Sequence, residues 1–292
     1  MKLSFNALVV LLAALFVISC GSGGSKDDKE KSALDSQSIE EDITHLVSED
    51  FPKPSEIPYL IMQTGAEFNQ TLLNPRTSAD RYTDTEDAAL NLGVFAADMG
   101  YLTSYDKTQE VIDYYATCKR LADDLGILAG FDKAMVDSVD ANIGNRDKLT
   151  ELLDRSVDQA TRFMGDGSKS KIGALIISGS FVESLYLATG IVGTYSGISD
   201  KNQAMQVLTP MISLVLKQDK SVGEVSVMLG KVDQTPRVTK LLLDWKELES
   251  AFAALVPLKE QIAKGQKGLT FNDQTLAGVS KAVQKIRLDI TE

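Results

Sequence analysis

The sequence predicts an all-α fold, about ten helices packed as a bundle between residue 55 and the end. Three observations carry this expectation. Apolar residues recur at helical spacing, most plainly at Leu241, Trp245, Leu248, Phe252 and Leu255, which step by four, three, four and three and so share one helix face. Apolar runs close on single glycines and open on capping residues. No stretch alternates apolar and polar residues between hairpin turns, as a half-buried strand would.

The elements follow in chain order. Thr83 with Glu86 forms a capping-box pattern ahead of the first long helix, where a hydroxyl and a carboxylate satisfy each other's orphan amides. Asp106-Lys107-Thr108-Gln109 and Asp132-Lys133 mark the next starts, and Asp200-Lys201-Asn202-Gln203 and Asp219-Lys220 mark two later ones. Gly126, Gly130, Gly144, Gly165, Gly193, Gly230 and Gly265 each follow an apolar run, and are expected to end helices because glycine takes positive φ without strain. Thr235-Pro236 is an N-cap followed by proline at the first helical position. Pro210 and Pro257 are expected to kink the helices that contain them. Asn272 or Asp273 opens the last helix. Trp245 reads as a core anchor on the Leu241–Leu255 seam rather than a ligand platform.

The N-terminus is an address. Lys2 precedes an unbroken apolar run at residues 7–17, too short to span a bilayer comfortably. It ends in Val17-Ile18-Ser19-Cys20. This tetrad resembles the lipobox of bacterial lipoproteins. The resemblance implies that residues 1–19 are a signal peptide, that the Cys20 thiol receives a diacylglycerol, and that the new amino end is acylated. Gly21-Ser22-Gly23-Gly24-Ser25 then makes a flexible linker. Lys26-Asp27-Asp28-Lys29-Glu30 resembles the surface-export signals of some diderm bacteria. Residues 38–48 show a capping box, Ser38 with Glu41, and apolar Ile39, Ile43, Leu46 and Val47, the pattern of one short helix. Phe51-Pro52-Lys53-Pro54 closes the tether. Residues 20–54 are thus a lipid-anchored tether, with a free-coil reach on the order of 30 Å, and residues 55–292 are the globular domain. The expected location is the outer membrane, lipid-anchored, with exposure at the cell surface an open alternative to its inner face.

Charge and rare residues exclude whole classes of function. The 292 residues carry 30 Lys and Arg against 41 Asp and Glu, a net charge of −11, which deepens to −12 once the signal, with its single Lys, is removed. Nucleic-acid binding needs clustered cations, so no nucleic acid is expected as a partner. One His and two Cys cannot build the usual zinc sites. The one His, His45, lies in the tether. Cys118 shares a helix face with Tyr114, Leu121 and Leu125, the setting of a small core hydrophobe rather than a nucleophile. Near-matches to an EF-hand at Asp140-Ala141-Asn142-Ile143-Gly144 and to a phosphate loop at residues 165–170 fail at required positions. No catalytic residue, metal ligand or cofactor is assigned.

Two segments resemble each other. Residues 89–102 read ALNLGVFAADMGYL and residues 174–187 read ALIISGSFVESLYL. Without gaps, Ala, Leu, Tyr and Leu coincide, Gly93 falls on Ser178 and Asp98 on Glu183. With the Asp-Lys starts that follow each, this suggests an internal duplication, residues 84–164 and 170–264. Both segments are rich in small residues, and glycine inside a helix costs about 1 kcal/mol against alanine. Close backbone approach is the usual compensation, so these two helices are expected to be central and mutually packed.

Asp98 and Glu183, each one turn before Tyr101 and Tyr186 on a mostly apolar helix, are the candidate binding residues. Buried carboxylates need partners or a raised pKa, and two facing ones can share a proton or a cation. The alternatives are that both face solvent or bond a tyrosine hydroxyl in the core. The leading functional expectation is a non-enzymatic, lipid-anchored envelope protein that binds a protein partner or serves as a structural envelope component. The alternative is a small-molecule or cation-binding lipoprotein with its site between the two helical halves. A carboxylate enzyme is a third reading, the least favoured.

Overall fold

A computed structural model describes residues 55–127, 133–142, 145, 147–152, 155, 169–266 and 271–292. Residues 1–54, with Cys20, His45 and the expected signal and tether, lie outside the described residues, as do Gly130, Asp132, Gly144 and Gly165. Among the described residues there are ten α-helices and no strand. They are α1 Glu56–Gln63, α2 Thr85–Ser104, α3 Thr108–Asp124, α4 Lys133–Asn142, α5 Ser170–Ser196, α6 Lys201–Leu216, α7 Asp219–Lys231, α8 Pro236–Ala253, α9 Val256–Ala263 and α10 Ala277–Thr291. Two 3-10 segments, Gln70–Leu72 and Arg76–Arg81, link α1 to α2, and a third, Asp273–Leu276, leads into α10.

The bundle is organised around α2 and α5, which make the most extensive contact of any pair. They run parallel. Lys171 at the start of α5 holds Glu86 at the start of α2, at 2.6 Å, and Asn69 reaches both Tyr101 and Thr194 near their far ends. Around this pair α3 packs on α2, α6 on α5, and α8 on α7 and α10. Helix α10 lies along α5 and touches α2. α5 has the length and composition to cross a membrane, yet most of it is buried against other helices, the place for a helix that is apolar all round. Trp245 is fully buried in α8. Its Nε1–H donates to the Val222 carbonyl at 2.9 Å, and its ring lies 6.3 Å from that of Phe181.

The glycines explain why α2 and α5 come so close. A Cβ on Gly93 would stand 2.1 Å from the Ile176 carbonyl oxygen, and one on Gly179 2.0 Å from that of Leu90. Gly93 therefore stands to Ile176 as Gly179 stands to Leu90. The contact is reciprocal, as a local two-fold would make it. It is one residue out of register with the gap-free alignment, which set Gly93 on Ser178. Ser178 is also buried, and its hydroxyl bonds the Ala174 carbonyl of its own helix.

Several helix ends differ from the sequence expectation. Gly126 and Gly265 do end helices with φ of +65° and +67°. In each case the amides of the glycine and the next residue return to carbonyls of the last turn. Gly230 is the last residue but one of α7, so that helix ends one residue beyond it; Gly193 instead lies inside α5, which runs on to Ser196, and one glycine's cost is small against the burial of a long helix. Asp84, not Thr83, caps α2, accepting from the Glu86 amide at 2.8 Å. Asp106 does not open α3. It ends α2, at φ +56°, with its own amide on Thr103 and that of Lys107 on Leu102; aspartate is among the few residues that tolerate this conformation. Asp200 does cap α6, taking the amides of Asn202 and Gln203. The Asp-Lys pairs at 106 and 200 are therefore not equivalent. Asp219 is the first residue of α7 and not its cap. Pro257 does not kink α8, which stops at Ala253; it sits in the first turn of α9, where its missing N–H costs nothing. Pro210 lies within a continuous α6.

Gly93→Ala or Gly179→Ala should lower the melting temperature by several degrees, although alanine is the better helix former, because the new methyl meets a fixed carbonyl. Gly193→Ala, in the same helix with open space around its Cβ, should raise stability by up to about 1 kcal/mol. Thermal unfolding of the three variants checks the opposite signs; a stabilised Gly93→Ala would refute the close crossing.

Candidate functional site

The four residues nominated from sequence are not one constellation. Asp98, Glu183 and Tyr186 share a cluster, which also contains Arg287 from α10. Tyr101 belongs to a second cluster. Asp98 and Glu183 are both 0 % exposed.

The first cluster is built where α10 crosses α2 and α5. Asp98 Oδ2 accepts the Asn74 amide at 3.0 Å. Glu183 accepts from Arg287, with Nε at 3.1 Å from Oε2 and Nη2 at 3.4 Å from Oε1, the two-pronged geometry a guanidinium favours. Arg287 Nη2 also reaches the Leu72 carbonyl at 3.4 Å, and its guanidinium carbon lies 4.4 Å from the centre of the Tyr186 ring. No N–H reaches Asp98 Oδ1. Burial first, and then the neighbouring Glu183 carboxylate, push the Asp98 carboxyl well above the usual carboxylate range; the Asn74 amide and Arg287 oppose this and lose. Burial also raises Glu183, against the pull of Arg287. Asp98 is therefore the carboxyl held toward its protonated form, beside the Glu183 carboxylate. One neutral acid, one carboxylate and one guanidinium leave the cluster without net charge. The positive charge that a bound cation might have brought comes from Arg287.

This cluster continues into a buried polar chain. The Asn74 side-chain amide donates to the Tyr82 hydroxyl at 3.2 Å, the Tyr114 hydroxyl donates to the Asn74 carbonyl at 2.9 Å, and the Tyr82 hydroxyl donates to the Thr291 carbonyl at 3.1 Å. Asn91 donates to the Ile290 carbonyl at 2.7 Å and Arg81 to that of Thr291 at 3.0 Å. The last carbonyls of α10, which have no partner in their own helix, are thus capped by side chains from α2 and the 3-10 segments.

The second cluster grips the chain after α1. The Tyr195 hydroxyl accepts the Glu67 amide at 2.9 Å, the Tyr101 hydroxyl accepts the Asn69 amide at 3.0 Å, and the Tyr105 hydroxyl donates to the Ala66 carbonyl at 2.7 Å. Phe68 stacks on Tyr101 with centroids 5.3 Å apart. Burial raises the Tyr101 hydroxyl pKa above its ordinary value, so the ring stays neutral.

Sequence reasoning missed Arg287 and Asn74. A signal existed for Arg287: it falls among Val279, Val283, Ile286 and Ile290 on the apolar face of the last helix, where an unpaired charge would be costly. Asn74 sits between helices and left no periodic trace. Cys118 is buried, as its spacing suggested, and burial pushes its thiol far above the ordinary range. Among the described residues no three of His, Cys, Asp and Glu stand close enough together to hold a metal ion.

The candidate residues line no described opening. A cleft of about 700 Å³ lies elsewhere, between α1 and the junction of α6 and α7, with Glu56, Leu60, Gln63, Pro210, Lys217 and Ser221 on its walls. No family model matches the chain, and no curated protein or solved structure matches it.

The two carboxylates should respond differently to neutral replacement. Folded Asp98 keeps its proton above the ordinary aspartate pKa while the unfolded chain loses it, so the folded state binds more protons and stability from this group falls as pH rises. Asp98→Asn mimics the protonated acid; the stability advantage of wild type over it should shrink as pH rises above the ordinary aspartate range. Glu183→Gln strands Arg287 and should cost about 3–5 kcal/mol. Urea titrations across that rise in pH check both, and an equal, pH-independent loss in the two variants would overturn the proton assignment. Native Cys118 should resist thiol reagents until the protein unfolds, which a colorimetric thiol assay with and without denaturant reads directly.

Proposed function

We propose that the protein is a lipid-anchored component of the bacterial envelope, without enzymatic activity, that holds an all-α body off the membrane for a protein partner. The observation that carries this reading is the tetrad ending in Cys20, with the apolar run before it and the Gly-Ser linker and charged stretch after it. A signal, an attachment point and a spacer in that order are what anchoring requires. The interior supports the non-enzymatic part. Asp98 Oδ2 is taken up by the Asn74 amide and Glu183 by Arg287, and both carboxyls are buried. Groups in that position fasten the fold and are not presented to a substrate. A crevice between the halves, the alternative reading, would need open space beside these residues, and both are 0 % exposed. The outer membrane is the proposed location, with surface exposure favoured by the acidic, lysine-bearing stretch at residues 26–30.

Cys20→Ser should shift the protein from the membrane pellet to the soluble fraction after cell fractionation. Retention of the variant in salt-washed membranes would refute the anchor. Protease shaving of whole cells separates the two faces of the membrane: loss of the intact chain without lysis places it outside.

A further inference from the structure

We propose that the cleft between α1 and the α6–α7 junction binds a small ligand through an oxyanion group, a phosphate or a carboxylate. The inference goes beyond the anchoring role and does not depend on it. The site is built at the N-terminus of α7, a 13-residue helix whose first position follows Gln218 with no side-chain cap. The first amides of a helix lack carbonyl partners within it and carry the positive end of its dipole. Val222 is the first here to reach a turn carbonyl, that of Gln218, at 2.9 Å.

The second observation is Ser221. It is only 5 % exposed and lines the cleft. Buried helical hydroxyls elsewhere in this protein bond the carbonyl four residues back: Ser104 on Gly100, Ser178 on Ala174, Ser184 on Ser180 and Thr189 on Leu185. Ser221 makes no such bond; its side chain has no hydrogen-bond partner among the described residues. A hydroxyl buried at a helix N-terminus, open only to a cleft, is an unused donor aimed at whatever enters.

The charges agree with an anion at this end. Lys217 lines the cleft one residue before Gln218, and among the described residues no ion pair engages it. Asp219, the one acid in the first turn of α7, does not line the cleft and is held by Lys259 of α9. The opposite wall carries Glu56 and Gln63 of α1. The ligand therefore has its oxyanion at the Lys217–Ser221 end of the cleft. A volume of about 700 Å³ falls within the usual range for small-molecule sites. A free phosphorylated or carboxylated metabolite and a phospholipid headgroup present the same chemistry.

The test uses the full chain carrying Cys20→Ser, so that the anchor plays no part. Inorganic phosphate is titrated against the 15N-labelled protein, and the same protein is sedimented with vesicles of phosphatidylglycerol or of phosphatidylcholine. The expected result is a saturable shift of the backbone amides of residues 217–222 with phosphate. Ser221→Ala and Lys217→Gln should each weaken it about tenfold while leaving the melting temperature unchanged. Saturation by phosphate identifies a free oxyanion as sufficient. Variant-sensitive sedimentation with phosphatidylglycerol alone identifies a headgroup as the source. If phosphate never saturates and vesicle binding ignores both substitutions, the site does not exist.

Discussion

Everything in this fold depends on one contact, the crossing of α2 and α5 at Gly93 and Gly179. With a hydrogen in place of each Cβ the two backbones meet directly, carbonyl against α-carbon. Helices that approach so closely leave no room for side chains between them, and everything bulky is displaced to the flanks of the crossing. The apolar residues on those flanks meet α3, α6, α8 and α10. This is why both helices are buried nearly all round and show little amphipathic bias, whereas α3 and α10 present one apolar face each.

The same closeness forces the polar chemistry at the centre. Asp98 and Glu183 sit on the flank that α10 covers, and two ionised carboxylates cannot coexist there without water. The conflict is resolved by one proton and one guanidinium. Such a cluster is weak as a source of stability, because desolvating Glu183 and Arg287 cancels much of their attraction. Its effect lies in selection. α10 rotated by one residue would leave Arg287 against the apolar flank and Glu183 unpaired. The carbonyl caps from Tyr82, Asn91 and Arg81 fix its end in the same way. α10, the described helix farthest in sequence from the stretch between α1 and α2, is thereby locked to it.

How much of this was legible in sequence depends on whether the signal was local. The Leu241–Phe252 seam, the Thr235-Pro236 start and the Gly126 and Gly265 stops were readable because helical period, cap and positive φ act within a few residues. The centrality of α2 and α5 was readable from their small residues, since glycine in a helix demands a reason. Gly179 itself was passed over because the alignment placed Val94 opposite it; packing register is set by three-dimensional crossing and not by sequence identity. Asp106 misled for a related reason. Aspartate favours both helix starts and the left-handed end of a helix, and only the preceding turn, with its Leu102 and Thr103 carbonyls, decides between them. Carboxylates at 98 and 183 were visible, but their partner lay about a hundred residues away on α10, beyond any local pattern.

The contrast between the polar centre and the cleft bears on where activity resides. At the centre strong polar groups answer others of the same chain: carboxyl to backbone amide, carboxylate to guanidinium, tyrosine hydroxyl to carbonyl. A ligand entering there would have to break bonds already made. At the α6–α7 junction the balance is reversed. α6 ends at Leu216 and α7 begins at Asp219, so the first amides of α7 have no carbonyl partner in their own helix, and the Ser221 hydroxyl has no hydrogen-bond partner among the described residues. Burial without a partner costs about 1–3 kcal/mol for a polar group, and Ser221 escapes that cost only through its access to the cleft. The fold thus concentrates its fixed chemistry where two helices must hold each other, and leaves its unused donors beside α1, the first described helix.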